Sequence, residues 1–293
     1  MEQQAKICAQ NGEGETHMVN LSSDTVTEPS KAMKEAMMSA PLGDDLGGVH
    51  PRTLRNLPDG TFSLTELRQL VRGVDDHWPT TALVCVENTQ NMVGGRVLPL
   101  AWLDELGVLC RELELPLHMD GARLFNAAAA LGVPPSRIVK DCASVSICLS
   151  KGLGAPALGG GMRQVGVLAA AGIYALDHVG PTLTRDHAYI QEVARAVVEC
   201  KSEIIKCDPA SAHTNILLLE CDPEALPPSH LCERMDQVTD EEVAAIGERV
   251  VARILPITDT AVRMVVHCDI THEDIQSVIN KLKYVIKEFD GKA

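Results

Sequence analysis

Aromatic side chains are scarce in this chain: three Phe, three Tyr and two Trp make up 3% of its 293 residues. A core must therefore come from Leu, Val, Ile, Ala and Met. The 45% hydrophobic share supplies enough of these for one large domain or two unequal ones. No apolar run approaches the roughly 20 residues of a bilayer-spanning helix, so no membrane partner is expected. Basic charge is short as well. Twenty-six Lys and Arg stand against 40 Asp and Glu, and a formal charge of −14 argues against nucleic acid or an anionic surface as partner. The ten cysteines form no C-x-x-C pair and do not cluster with His at ligand spacing, so no metal site is expected. Cys85 and Cys148, inside apolar runs, read as reduced thiols filling core space in a cytoplasmic protein. Residues 1–18, acidic and without an apolar stretch, read as a disordered lead-in.

What is present is an alternation of short apolar strands and amphipathic helices. Thr81–Val86 reads as a buried strand and Leu100–Leu113 as a helix with Leu103, Leu106, Cys110 and Leu113 inward. A strand at 116–120 follows, then an alanine-rich helix from Arg123 to Leu131 stopped by Gly132. Strand, helix, strand at this spacing predicts right-handed βαβ units with parallel strands. Ser144–Leu149 is short and uncharged, with apolar residues alternating with small ones, which suits a strand in a sheet covered on both faces. Helices are also expected over 30–38, 63–71, 162–177 and 185–204, and strands over 213–220 and 262–267. The last helix has Thr271 as N-cap, Asp274 at its third position and an apolar face from Ile275 to Phe289. The fold class is α/β: a large domain over 19–205 with a mostly parallel sheet, and a small α+β domain over 206–293.

The chemistry is concentrated at two strand ends. Ser150 and Lys151 follow the uncharged strand, and Gly152 and Gly154 break it, which holds Lys151 at the sheet's carboxyl edge. Ligands of open α/β sheets bind at that edge. Upstream, Asp120 ends its own strand. The two residues can form a simple ion pair. They also match what pyridoxal phosphate (PLP) needs: an amine to hold its aldehyde carbon and a carboxylate to keep its ring nitrogen protonated.

The wording around both residues narrows this. Leu21-Ser-Ser-Asp-Thr-Val-Thr27, Glu87-Asn-Thr-Gln-Asn91, Gly94-Gly-Arg-Val-Leu-Pro99, Asp120-Gly-Ala-Arg-Leu-Phe-Asn126, Ser150-Lys-Gly-Leu-Gly-Ala-Pro156 and Gly159-Gly-Gly-Met-Arg-Gln164 occur in this order. Together they closely resemble the PLP-dependent threonine aldolases of the aspartate-aminotransferase-like fold, from about Val19 to the C-terminus. The resemblance implies a homo-oligomer that cleaves threonine or allo-threonine to glycine and acetaldehyde. It makes Lys151 the Schiff-base lysine and Asp120 the partner of the pyridinium nitrogen. Arg123 is implied to touch the PLP 3-oxygen and the substrate carboxylate, with Arg263 as the second carboxylate arginine and Ser23 beside them. Arg163 matches a residue that helps to hold the PLP phosphate. Gln90 stands where the family usually has a histidine near the substrate hydroxyl; Gln can hydrogen-bond there but cannot accept a proton near pH 7.

Two parts of the family pattern are missing. After Gly43-Asp-Asp45 the family continues for several tens of residues that carry a Ser-Gly-Thr-type phosphate loop, its helix and a ring-stacking histidine. This chain passes almost directly to Asn56. The family also has a strand and a helix between Gly-Ala-Pro156 and Gly159, where this chain has only Ala157 and Leu158. Apolar surface near the sheet is therefore expected to be uncovered. The alternative reading is a catalytically impaired, truncated relative that acts as a binding or oligomer partner, and a β-eliminating lyase ranks third.

Overall fold

The computed structural model describes residues 16–22, 42–43, 52–74, 80–156 and 162–291. In chain order the elements are β1 (Thr16–Asn20), β2 (Leu42–Gly43), α1 (Leu64–Leu70), β3 (Val84–Glu87), α2 (Leu100–Glu112), β4 (Leu117–Gly121), α3 (Leu124–Leu131), α4 (Pro135–Ile138), β5 (Ser144–Ile147), β6 (Met162–Gln164), α5 (Gly166–His178), α6 (Leu183–Cys200), β7 (Ile205–Lys206), β8 (Ile216–Cys221), α7 (Pro228–Asp236), α8 (Asp240–Ile246), β9 (Arg249–Arg253), β10 (Leu255–Pro256), β11 (Ala261–Val265) and α9 (His272–Phe289).

Strands β3, β4 and β5 form the expected parallel sheet, joined by helical crossovers. The register places Cys85, His118 and Ser144 in one row and Glu87, Asp120 and Ser146 in the next. Val84, Val86, Leu117 and Met119 point to the other face, where they are buried with Leu103, Leu106, Leu124 and Ala127 of α2 and α3. Local signals close the helices as the sequence predicts. The Ser63 side chain accepts the Glu66 N–H at the start of α1. Gly132 caps α3 in the left-handed region, with φ of 64°, which costs glycine nothing.

The covering of the sheet departs from expectation. Strand β5 is its edge, and Ser144, Ser146 and Ile147 are exposed, Ile147 at 49%. Cys85 is exposed too, where a buried thiol was expected. The cause is the arrangement of layers: among the described residues no strand pairs beyond β5, and the second face has no layer packed over its length. The helix expected from residue 162 starts at Gly166, because Met162–Gln164 form β6 and pair antiparallel with β2.

The C-terminal region is closed on itself. Strands β10, β11, β8 and β7 form an antiparallel sheet in that order. Helix α9 opens with a capping box in which Thr271 and Asp274 satisfy each other's backbone N–H groups, and it packs against α6. Strand β1 pairs parallel with β9, so Thr16–Met18, part of the stretch that reads as a lead-in, lie in a strand. Val19, Leu21, Ile190 and Val193 share one core with Leu217, Met264 and Val285. That core crosses the boundary expected at residue 205. At its centre Lys281 is fully buried, its Nζ donating to Gln237 O at 2.6 Å, Glu242 Oε1 at 2.7 Å and Val250 O at 2.8 Å. Arg234 Nη1 donates to the other oxygen of Glu242 at 2.7 Å. Burial pulls the Lys281 ammonium down in pKa, and Glu242 opposes that shift.

Candidate active site

The carboxyl ends of β3 and β4 bring two acids side by side. Asp120 Oδ1 accepts the Ala122 N–H at 2.9 Å, and its carboxylate is otherwise open to solvent. Glu87, in register with Asp120, is half-buried, and its Oε2 accepts the Asn91 N–H at 3.3 Å. Burial pushes the Glu87 carboxyl up in pKa. The Asn91 N–H opposes this, the Asp120 charge adds to it, and Arg123 and Lys151 pull back down. Glu87 thus feels the charges of Asp120, Arg123 and Lys151.

Lys151 is carried by a tight loop after β5. Gly154 N–H donates to Lys151 O and Ala155 N–H to Leu149 O, both at 2.8 Å. Leu153 and Ala155 anchor the loop in a small core with α5 and Leu183. The Lys151 amine has no hydrogen bond or ion pair among the described residues. Gly152 lies against α3, where an added Cβ would sit 3.1 Å from Asn126 Oδ1. Asn126 Nδ2 donates to His187 Nε2 at 3.2 Å and to Asn215 Oδ1 at 3.1 Å, and Asn215 Nδ2 donates to Val266 O at 2.8 Å. This chain of amides ties the lysine loop to the C-terminal sheet. Burial lowers His187 to a pKa of about 4, which keeps its ring neutral and its Nε2 an acceptor.

The two arginines meet. Arg123, just before α3, is buried, and its Nη1 donates to Asn91 Oδ1 at 3.2 Å. Arg263, in the middle of β11, donates from Nη1 to the same oxygen at 3.1 Å and from Nη2 to Ser22 O at 3.4 Å. Ser23 lies outside the described residues, one position beyond this contact. The backbone of Arg163 lies in β6; its side chain is outside the described residues. Gln90 is buried, and its Oε1 accepts the Val93 N–H at 2.9 Å, closing the 90–96 turn. Glu87, Asn91 and Asn126 were not singled out from the sequence. All three lie in the segments that carry the resemblance, and that was the available signal. A lysine amine and an aspartate carboxylate near the carboxyl ends of neighbouring strands, neither in an ion pair among the described residues, and two guanidinium groups on one amide oxygen could take the aldehyde and ring nitrogen of PLP and a carboxylate.

Fold and site define an α/β protein with charged side chains gathered at the carboxyl edge of a parallel sheet. Residues 45–157 and 156–221 match the family described as β-eliminating lyase. The chain belongs to that family and, within it, to the threonine aldolases. It is 37% identical over 257 residues to probable low-specificity L-threonine aldolase 2 of Arabidopsis thaliana, a match covering 80% of this chain and 69% of that one. It is 31% identical over 348 positions to the low specificity L-threonine aldolase of Escherichia coli K12, covering 89% of this chain and 97% of that one. That alignment is longer than the chain, so the bacterial relative has internal segments that are absent here. The threonine aldolase structure from Leishmania major superposes with a TM-score of 0.56 at 15% identity, over 78% of this chain and 69% of that one, and shows the shared fold.

Proposed function

We propose that the chain is a PLP-dependent aldolase that cleaves threonine or allo-threonine to glycine and acetaldehyde. The convergence of Arg123 and Arg263 on one oxygen, in the space shared by Lys151 and Asp120, carries this reading. PLP, when bound, supplies the electron sink for the pair released as the Cα–Cβ bond breaks. Lys151 is the amine that anchors it and the group placed to return a proton to Cα. Asp120 keeps the ring nitrogen protonated, and Arg163 contributes to holding the phosphate. Arg123 and Arg263, with Ser23, bind the carboxylate and so fix which bond at Cα faces the ring. Gln90 lies next to Asn91 and is a candidate neighbour of the β-hydroxyl. With Oε1 taken by Val93, its Nε2 is a donor, and a donor orients a hydroxyl without accepting its proton. By the same resemblance the protein is homo-oligomeric, and its scattered cysteines, read as reduced thiols, make it cytoplasmic.

The test is to add PLP to the purified chain and assay allo-threonine for acetaldehyde. Lys151→Ala should lose both the visible absorbance of lysine-bound PLP and acetaldehyde release. Asp120→Ala should keep much of the absorbance and lose kcat. Absorbance unchanged in Lys151→Ala would overturn the assignment, and ammonia released from serine without acetaldehyde would assign β-elimination instead. The uncovered face of the β3–β5 sheet favours a second reading, in which the ring-end residues are retained but PLP is held weakly. Micromolar binding with robust turnover would exclude it.

A further inference from the structure

We propose that Glu87 is a second carboxylate at the ring-nitrogen end of the site: it and Asp120 form a pair of acids that a protonated pyridine ring enters as their shared counter-ion. This rests on reading the site as a PLP site. Glu87 and Asp120 stand in register on neighbouring parallel strands, which run about 4.8 Å apart, and alternation turns both side chains to the same face. Each carboxylate accepts one backbone N–H, Glu87 from Asn91 and Asp120 from Ala122, and neither has an ion pair among the described residues. Two like charges so placed are eased when one keeps its proton or when a cation joins both.

Glu87 is the member that keeps the proton, because it is half-buried and Asp120 is open to solvent. Burial pushes its carboxyl up in pKa and Asp120 adds to this, against the Asn91 N–H, Arg123 and Lys151. Arg123 acts from the start of α3 and Lys151 from the loop after β5. On the same face Cys85 and His118 lie one row back, with His118 Nδ1 2.9 Å from Ser144 Oγ. A pyridinium N–H held by Asp120 brings a positive charge within reach of Glu87 and draws its proton off. That proton goes to solvent when the ring arrives protonated, and to the ring nitrogen when it arrives neutral. Either way the pair ends as two carboxylates beside one cation, and two charges instead of one keep the ring nitrogen protonated.

The experiment uses the full chain and pyridoxine 5′-phosphate, a probe with the ring and the phosphate but no aldehyde. Ultraviolet absorbance reads protonation of the bound ring across pH. NMR of isotope-labelled glutamate reads Glu87, whose resonance is the one lost in Glu87→Gln. Without probe, Glu87 should titrate at lower pH in Asp120→Asn than in the wild type, and adding probe to the wild type should also move it to lower pH. Glu87→Gln keeps an oxygen for the Asn91 N–H and loses only the charge. In that variant the ratio of protonated to neutral bound ring should fall about tenfold at a given pH, a change that a merely structural role would not produce. Equal ratios in Glu87→Gln and wild type overturn the proposal, as does a Glu87 titration that is the same in Asp120→Asn. A wild type that binds no probe overturns the PLP reading and the proposal together, whereas a bound probe with no Glu87 effect overturns the proposal alone.

Discussion

The two main sheets of this chain are made of the same kinds of side chain and end in opposite conditions. In β11, four of five residues are buried, and the exception is Arg263, which reaches into the site. In β5 nothing is fully buried, although Val145 and Ile147 are as apolar as Val262 and Met264. The C-terminal sheet has α6, α9 and the β1–β9 pair around its core. The site sheet has α2 and α3 on one face and, among the described residues, no matching layer on the other. Apolarity shows that a strand can be buried; a second layer decides whether it is.

Three measurements would break or sharpen this contrast. The largest effect belongs to the closed region. Lys281→Ala leaves Glu242 buried with half of its pairing gone, and it should cost about 3–5 kcal/mol in denaturant unfolding followed by circular dichroism. The pair Lys281→Met with Glu242→Gln should recover part of that loss. A cost below about 1 kcal/mol would mean that the C-terminal core is looser than its burial implies.

Next in size is the link between the two regions. His187 has a folded pKa of about 4 against an ordinary 6.5, so the unfolded state takes up the proton first as pH falls. Its neutral form contributes stability that is fully present above pH 6.5 and is lost as pH falls towards 4, on the order of 3 kcal/mol in all. His187→Gln should flatten that part of the stability–pH curve. An unchanged slope would remove His187 from the network that joins Asn126 to the C-terminal sheet.

The smallest effect on stability is expected at the open edge. Ile147→Lys should change unfolding free energy by less than about 0.5 kcal/mol, because the side chain is already exposed. It should nevertheless reduce self-association, measured by light scattering, since a charge on an unpaired edge blocks strand addition. A loss of about 2 kcal/mol, the size of a core truncation, would mean that Ile147 is covered after all and would collapse the contrast.

Much of the fold was legible because its signals are local. The cap at Thr271 with Asp274, the stop at Gly132 and the strand ending in Asp120 each depend on a few adjacent residues. The parallel βαβ order followed from spacing. The bare face of β5 was illegible from its own residues, since its covering depends on other parts of the chain. The start of α5 was misplaced because Met162–Gln164 pair with β2, a partner more than a hundred residues away. Lys281 sits among the apolar residues of α9, and Glu242, Gln237 O and Val250 O, all from outside that helix, explain its burial. At the site, the motif wording picked out Lys151, Asp120, Arg123 and Arg263. It could not show that Asn91 joins two of them, because that meeting requires β11 to be folded against the 90–96 turn.

The pairing of β1 with β9 also sets an order of events. Thr16 leaves the ribosome before its partner, Arg249, which is made more than two hundred residues later. Until then Val19 and Leu21, fully buried in the finished protein, have no partner strand and stay in contact with water. Closing so long a loop costs roughly 5 kcal/mol of chain entropy before any contact returns it. The core that β1 joins therefore closes only after β9 has been made, more than two hundred residues after β1. A ribosome-stalled chain ending before Arg249 should be cut by protease around Met18, and one extended past Phe289 should be protected there.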